Sequence, residues 1–344
     1  MIDNMQRLTN RPLYATALDS SLFVEAGGLS ARILEATRQN FNVAVFGAPG
    51  SGKTSLLHQV EYSAREDRRI VFVDASVATD AATFLQLVRF RLGLAPSPAE
   101  TMRTSFSSMF QSQPPRTELS NVMWVLEDLR SDARSSQEGK PVTLVVDDLD
   151  PKIAHTVFGR LRNEIWGLSY HWLVSGNEAS RMRFLTPPAD SFFDVVVTIE
   201  PMPIPLLASL LVERAEEKLS FEVAEELAEL ADGNPRRALS LARDAVLSGN
   251  GAEELVAAHS DVAARLQRLP AAARMLYGEL ETQGQATAAD AALLDRLGWS
   301  RQRARRVFGE LEEAGLVVSR DEKREMPGRP RRIYELARAL GQPV

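Results

Sequence analysis

A run of glycines followed by a lysine and a threonine is the part of this sequence with the clearest chemistry. Residues 47–54 read Gly-Ala-Pro-Gly-Ser-Gly-Lys-Thr and fit the pattern G-x-x-x-x-G-K-[ST]. Glycines let backbone N–H groups close around phosphate oxygens, and a helix that starts at the lysine adds positive potential. We expect Lys53 to reach the β- and γ-phosphates of ATP and the Thr54 hydroxyl to bind Mg²⁺. The predicted ATP contacts are Gly47, Ala48, Pro49, Gly50, Ser51, Gly52, Lys53, Thr54 and Ser55.

Two adjacent carboxylates follow an apolar run at residues 142–146, which read Val-Thr-Leu-Val-Val. The carboxyl end of a buried parallel strand is where α/β sheets bind ligands, so this run would bring both acids to the phosphates. We expect Asp147 to hold Mg²⁺ and Asp148 to be the base that orients the attacking water. Many ATPases with this loop have Glu at the second position. Because Asp is one methylene shorter, the pair predicts binding more firmly than fast hydrolysis.

A polar strand tip is the third feature with possible chemistry. Residues 170–175 have a strand pattern and lead into Gly176 and Asn177. A polar side chain at the tip of a strand beside the two acids can contact the γ-phosphate or the attacking water. We choose Asn177 for this role, with Ser175 as the alternative.

The elements that must position these residues alternate between strand and helix patterns. Short β-branched runs predict strands, and apolar residues spaced by three and four predict helices. The predicted strands are residues 41–46, 69–74, 142–147, 170–175 and 194–200, with helices at 55–62, 79–92, 118–134 and 152–166. This alternation predicts an α/β fold, a five-stranded parallel sheet with helices on both faces. An apolar cluster around Phe23 either lines an adenine pocket or packs on the core.

The strand patterns stop after the proline-rich residues 201–205, and helical patterns replace them. Three helices, at residues 206–219, 221–231 and 235–247, predict a helical lid. A further region follows, with predicted helices at residues 270–283, 287–297 and 300–314 and predicted strands at 316–320 and 331–336. We therefore predict three domains, at residues 1–200, 201–255 and 256–344.

The last domain resembles a winged helix-turn-helix, whose third helix would enter a major groove of DNA. Residues 300–332 hold ten basic and six acidic residues, a net charge of +4 in a chain of net −6. Such local positive charge suits the binding of backbone phosphates, and an arginine after Gly328 could enter a minor groove. The predicted contacts with duplex DNA are Arg301, Gln302, Arg303, Arg305, Arg306, Arg324, Arg329 and Arg331.

Together, the loop, the acid pair, the polar strand tip and the lid resemble an AAA+ ATPase of the initiator and helicase-loader (origin-recognition-like) type. The resemblance covers about residues 20–250 and includes features shared with STAND signalling ATPases. It implies ATP hydrolysis, assembly of copies through the α/β core, and a lid arginine that reaches the γ-phosphate. That arginine maps onto Arg236 in Gly-Asn-Pro-Arg, with Arg237 as the competing choice.

An arginine finger, which the resemblance places just before the fifth strand, has no clear match. Pro187 and Pro188 stand at that place, so Arg181 and Arg183 are the remaining candidates. A missing finger would favour the use of ATP as a switch over hydrolysis in a ring.

Composition limits the other classes of function. The chain has no cysteine, which excludes disulfides and thiolate sites, and its four histidines lack ligand spacing. Neither a signal-peptide pattern nor an apolar run of about 18 residues is visible, so we expect no membrane span and a cytoplasmic location. The leading hypothesis is a DNA-binding ATPase whose shape or assembly follows its nucleotide. The alternative is a STAND-like ATP switch whose last domain contacts a protein partner.

Overall fold

The computed structural model of this chain describes residues 7–94, 118–135, 139–216, 218–248, 257, 261–262, 264–322 and 331–337. The chain divides into two compact units. Asn10–Pro203 together with Asn234–Arg236 form the first, here called the α/β unit. The segments Ile204–Gly233 and Arg237–Val344, with the N-terminal residues, form the second, here called the C-terminal unit.

A parallel sheet of five strands is the centre of the α/β unit. The strands are β1 (Val43–Gly47), β2 (Arg69–Asp74), β3 (Val142–Asp147), β4 (His171–Asn177) and β5 (Val195–Ile199). Their order across the sheet is β2-β3-β4-β1-β5, and all neighbouring pairs are parallel. Every strand lies within two residues of its predicted position, so the predicted five-stranded sheet is confirmed.

Helices cover both faces of the sheet because its strands are apolar on both sides. The helices of this unit are α1 (Ala17–Ser21), α2 (Leu29–Arg38), α3 (Lys53–Ala64), α4 (Ala81–Arg91), α5 (Glu118–Ser135), α6 (Pro151–Ala154), α7 (Arg162–Trp166) and α8 (Arg181–Phe184). Phe46 and Val146 belong to the cluster that includes α4 and α5. Val45 and Val145 belong to the opposite cluster, with α2 and α3. Successive residues of a strand point to opposite faces, so each strand contributes to both clusters.

The segment between β3 and β4 differs from the single helix that the sequence predicts for it. α6 runs into a π-helical turn at His155–Arg160, and α7 begins after Leu161, whose φ of −96° and ψ of 12° are not helical. Val157, Phe158 and Gly159 are all buried in this turn. Phe158 packs against Trp172 and Phe192 at ring-centroid distances of 5.2 and 4.7 Å. The π-helical turn thus carries a ring that packs in the core, a tertiary contact that local periodicity does not reveal.

The C-terminal unit contains most of the predicted lid and the last domain. Its elements are α9 (Ile204–Arg214), α10 (Phe221–Leu230), α11 (Pro235–Ser248, from Arg237 onward), α12 (Ala271–Gln283), β6 (Gln285–Ala286), α13 (Ala291–Leu297), α14 (Arg301–Glu313), β7 (Val317–Glu322) and β8 (Arg331–Leu336). α9 and α10 pack against each other, and Leu207, Leu211 and Leu227 are fully buried.

An antiparallel sheet of order β6-β8-β7 packs on the last helices of the chain. The ring of Phe308 in α14 stacks on Tyr334 in β8 at 4.1 Å. The Ser300 hydroxyl accepts the Arg303 N–H at 3.3 Å, and Gly315 has a φ of +69°, so the predicted start and end of α14 are confirmed. The sequence did not predict β6, because a strand of two residues is too short to give a pattern. Among the described helices, none combines the length and apolar character that crossing a bilayer requires.

Candidate nucleotide-binding site

The phosphate loop, residues 47–54, connects β1 to α3 as the motif predicts. Gly50 and Gly52 have φ values of +81° and +97°, a region that side chains other than that of glycine rarely adopt. Gly47 has a different requirement, because a Cβ there would lie 2.6 Å from Ser51 Oγ. The loop therefore needs glycine for its turns, and position 47 has little room for a side chain between Ser51 and Ile199.

Lys53 begins α3 and folds its side chain back over the phosphate loop. Its Nζ donates to the carbonyl oxygens of Gly47 at 2.8 Å and Ala48 at 3.0 Å. Burial lowers the pKa of Lys53, Asp148 and Asp147 oppose this effect, and the charge of Arg236 adds to it. Two neutral carbonyls stabilise an ammonium less than anionic oxygens do, so the lysine gains if phosphate oxygens replace them.

Three side chains from three elements form a chain of hydrogen bonds beside the loop. Thr54 Oγ1 donates to Asp147 Oδ2 at 2.7 Å, and Ser175 Oγ donates to Asp147 Oδ1 at 2.5 Å. Asp147 is only 9% exposed and Ser175 is fully buried. The Asp148 N–H donates to Ser175 Oγ at 3.0 Å. Ser175, proposed from sequence only as an alternative sensor, thus connects the two acids.

The acid pair differs in backbone shape as well as in burial. Asp148 has a φ of +54°, in the left-handed region, where Asp is tolerated at some cost in strain. Its side chain stays partly accessible, yet reduced hydration raises its pKa, and the charges of Asp147 and Asp74 add to this effect against that of Lys53. Backbone strain and a raised pKa at one accessible acid are typical of a residue in an active site.

The oxygens of Thr54 and Asp147 fit a magnesium ion. They converge at one point, within 2.7 Å of each other, from the loop and from β3. Magnesium takes oxygen ligands and is usually bound through one or two carboxylates together with phosphates and water. These two residues could therefore hold Mg²⁺ when a nucleotide supplies the remaining ligands.

Asn177 lies at the tip of β4, directly opposite Gly47 of β1 in the sheet register. Its side-chain oxygen accepts the Ala179 N–H at 3.0 Å and so caps the 3₁₀ turn Glu178–Ser180. The sheet register thus places Asn177 beside the first residue of the phosphate loop. Because Oδ1 accepts this capping hydrogen bond, Nδ2 is the side-chain atom that could donate to a phosphate.

The turn before α11 reaches the phosphate loop within the α/β unit. Asn234 Nδ2 donates to the Pro49 carbonyl at 2.8 Å, and the Arg236 N–H donates to the Gly50 carbonyl at 3.3 Å. Arg237, the competing choice, belongs to the C-terminal unit and pairs with Glu281 there at 3.4 Å. Sequence reasoning singled out Arg236 and missed Asn234, two residues earlier in the same Gly-Asn-Pro-Arg motif.

The N-terminal segment packs on α3 beside the loop. The Ser55 hydroxyl, predicted to contact ATP, accepts the Leu13 N–H at 3.1 Å. Phe23, for which the sequence left two roles open, packs against the core cluster that includes α2 and α3. Both observations give these residues a part in holding the segment on the helix that follows the phosphate loop.

The two candidates for an arginine finger differ in their contacts. Arg181 donates to Thr198 Oγ1 at 3.0 Å and pairs with Glu178 at 3.5 Å, so its guanidinium is held within its own chain. Arg183 is exposed on α8. Arg183 is the more exposed of the two residues, and Arg181 is the one with contacts inside its own chain.

Most of the residues predicted to contact DNA lie on the solvent side of α14. Arg301, Gln302, Arg303, Arg305 and Arg306 are all exposed. Arg303 lies over the Trp299 ring at 4.8 Å, and Arg306 pairs with Glu310 at 3.4 Å. Arg331 begins β8, while Arg324 and Arg329 lie outside the described residues.

Comparison with known proteins agrees with this geometry. Residues 27–185 match the AAA ATPase domain family. The structure of the Aeropyrum pernix Orc1 protein in complex with DNA is similar with a TM-score of 0.52 and 21% identity, over 96% of this chain and 93% of that one. Cdc6p of Pyrobaculum aerophilum gives a TM-score of 0.48 and 16% identity, over 95% and 93% of the two chains. No curated protein matches the chain significantly.

The family match spans the phosphate loop, the acid pair and the tip of β4. The likeness to Orc1 covers nearly the whole chain and shows a shared fold. Residues 27–185 therefore match the AAA ATPase domain family, and the chain shares its fold with the Orc1 protein.

Proposed function

We propose that this protein binds and hydrolyses ATP with Mg²⁺ in its α/β unit and binds duplex DNA with its C-terminal unit. One observation carries the first half of the proposal. Thr54, Asp147 and Ser175 join in one hydrogen-bond chain beside the phosphate loop, in which Asp147 and Ser175 are buried. This arrangement keeps a hydroxyl and a carboxylate converged where an ATPase needs oxygen ligands for magnesium.

The residues of the site divide the work of hydrolysis. Lys53 would leave the carbonyls of its own loop for the β- and γ-phosphates. Thr54 and Asp147 would hold Mg²⁺, which would supply positive charge against the charge that develops on the phosphates. Asp148 would orient the attacking water, which its accessible side chain and raised pKa support. In this proposal the Asn177 amide and Arg236 sense the γ-phosphate.

The DNA half of the proposal rests on α14 and on the order of elements around it. A helix, a short strand, two further helices and two strands follow one another, and the three strands pair as β6-β8-β7. We propose that this is a winged helix with α14 in the major groove. The exposed arginines of α14 would bind phosphates or base edges. We retain the division into domains at residues 1–200, 201–255 and 256–344.

The test is an ATPase assay with and without duplex DNA, with oligomer size monitored in parallel. The wild type should bind ATP and turn it over. Lys53→Ala should weaken ATP binding by more than about tenfold because it removes a charge-assisted contact. Lys218→Ala, at an exposed position in the C-terminal unit, is the matched control. Wild-type protein that binds no ATP would refute the proposal.

A second function, a STAND-like ATP switch with a protein partner, is favoured by Arg181. Its guanidinium bonds to Thr198 and pairs with Glu178 of its own chain, which leaves Arg183 as the remaining candidate for an arginine finger. A salt-sensitive gel shift with duplex DNA, weakened by combining Arg303→Ala and Arg305→Ala, would support the first function. Tight ATP binding without turnover and without a DNA shift would support the switch.

A further inference from the structure

The contact between Asn234 and the phosphate loop has no part in the roles assigned above. Asn234 lies in the α/β unit, although the chain on both sides of residues 234–236 belongs to the C-terminal unit. Its Nδ2 donates to the Pro49 carbonyl at 2.8 Å across a separation of 185 residues. The Arg236 N–H donates to the next carbonyl, that of Gly50, at 3.3 Å.

The loop approaches this turn so closely that only glycine fits at position 50. A Cβ on Gly50 would lie 2.6 Å from Asn234 Oδ1 and 3.0 Å from Arg236 Cβ. Real Cβ atoms essentially never come within 3.0 Å of such an atom, so a side chain at position 50 would displace Asn234. The glycine is thus required by this contact as well as by its φ of +81°.

The geometry of the peptide bond turns this contact into control of a phosphate donor. A trans peptide is planar, and its N–H points opposite to its C=O. A donor that holds the Pro49 carbonyl therefore orients the Gly50 N–H away from Asn234. Loops of this kind bind phosphate oxygens through their backbone N–H groups. The next peptide is fixed from both sides, since the Ser51 N–H donates to the Ala48 carbonyl at 3.1 Å.

We infer that Asn234 is a positioning residue for the phosphate loop, orienting the Gly50 N–H toward bound phosphate through its hydrogen bond to the Pro49 carbonyl. The inference rests on the proposed ATP binding. Pro235, the first residue of α11, directly follows Asn234 in the chain.

The first test measures ATP affinity and turnover of Asn234→Ala. The expected result is an increase in the Kd for ATP of roughly tenfold, the scale of one lost hydrogen bond. The turnover number at saturating ATP should stay within about twofold, because this contact acts equally before and during the reaction. Asn163→Ala, at an exposed asparagine of α7, is the matched control and should change neither quantity.

The second test is a double-mutant cycle for ATP affinity with Gly50→Ala. In the wild-type background the new methyl group strains the loop and displaces Asn234. In the Asn234→Ala background the backbone strain and the close contact with Arg236 Cβ remain, but the displacement of Asn234 has no further effect, so the combined loss should be at least about threefold smaller than the product of the single losses. Thermal melts of all variants confirm that each is folded.

The outcomes separate this inference from the proposed function. Wild-type protein that fails to bind ATP refutes the proposed function itself. If the wild type binds ATP and Lys53→Ala abolishes binding, while Asn234→Ala binds like the wild type, then the inference alone is wrong. Strictly multiplicative losses in the cycle would also overturn it.

Discussion

The nucleotide-binding site and the exposed face of α14 use polar residues in opposite ways. At the site, Asp147 is 9% exposed and bonds to Thr54 and Ser175, which come from two other elements. On α14, the Arg306 side chain is 73% exposed and its ion pair joins it to Glu310, four residues along the same helix. The first arrangement is fixed by tertiary structure, and the second needs little more than a helix.

This difference predicts how each region responds to substitution. A buried network holds few groups in one geometry, so the loss of one group should remove much of the chemistry. Exposed arginines act through the sum of their charges, and each surface pair contributes little alone. The substitutions that follow run from the nucleotide-binding site to the exposed face of α14, and their effects should fall in that order.

Asp148→Asn should have the largest effect on catalysis. The amide cannot accept a proton from water, so we expect turnover to fall by about 10²–10⁴-fold. ATP affinity should change by no more than a few-fold, because Thr54 and Asp147 remain. A single-turnover assay with a separate binding measurement checks both parts. Asp67→Asn, at an exposed acid paired with Arg38, is the control for charge. Unchanged turnover would show that Asp148 is not the base.

The pH dependence of the wild type follows from the same carboxyl. Reduced hydration and Asp147 raise the pKa of Asp148, and the base works only when deprotonated. Turnover should therefore fall on the acid side at a higher pH than the ordinary Asp value of about 3.9 would give. Because this pKa is higher in the folded protein, its contribution to stability is present at low pH and lost as pH rises through it. Asp148→Asn should thus raise the Tm near pH 7, by about 1–3 °C.

Ser175→Ala tests the buried chain with a smaller expected effect. The Ser175 hydroxyl donates a hydrogen bond to Asp147 and accepts one from the Asp148 N–H, so its loss should let both acids move. Mutation of a residue that hydrogen-bonds to a metal ligand typically lowers metal affinity or activity by about 10–100-fold, and we expect a loss in that range. The apparent affinity for Mg²⁺ in the ATPase assay measures it. Ser209→Ala, at an exposed serine of α9, should leave that affinity unchanged.

The sequence was sufficient where the chemistry is local. The phosphate loop and the acid pair are contiguous in sequence, and each lies at the end of a strand with a clear apolar pattern. Their placement as neighbours follows from the rule that parallel strands end at one edge. The bounds of β3 and both ends of α14 were also predicted correctly, because each depends on residues close in sequence.

The sequence was insufficient where distant parts meet. Ser175 lies beside Asp147 because Val146 pairs with Val174, and no local pattern states that register. Asn234 contacts Pro49 across 185 residues, so its role becomes visible only when the two turns are placed together. The π-helical turn after α6 depends on the packing of Phe158, which periodicity cannot report. Tertiary neighbours decide all three.

The smallest single effect is expected on α14, and Arg332 in β8 offers a matched contrast. Arg305 is exposed on the helix. Arg332 carries the same charge, but its guanidinium bonds to Glu312 at 2.9 Å and to Ser319 at 2.9 Å. If α14 binds DNA phosphates, Arg305→Ala should weaken binding a few-fold and reduce the salt slope by about one unit, the effect of one lost phosphate contact. Arg332→Ala should lower the Tm and leave that slope within error.

Titrations of duplex DNA at several salt concentrations measure the slopes. Equal slopes for both variants would mean that net charge alone attracts the DNA, and the contrast between a built site and an open face would then not extend to this helix.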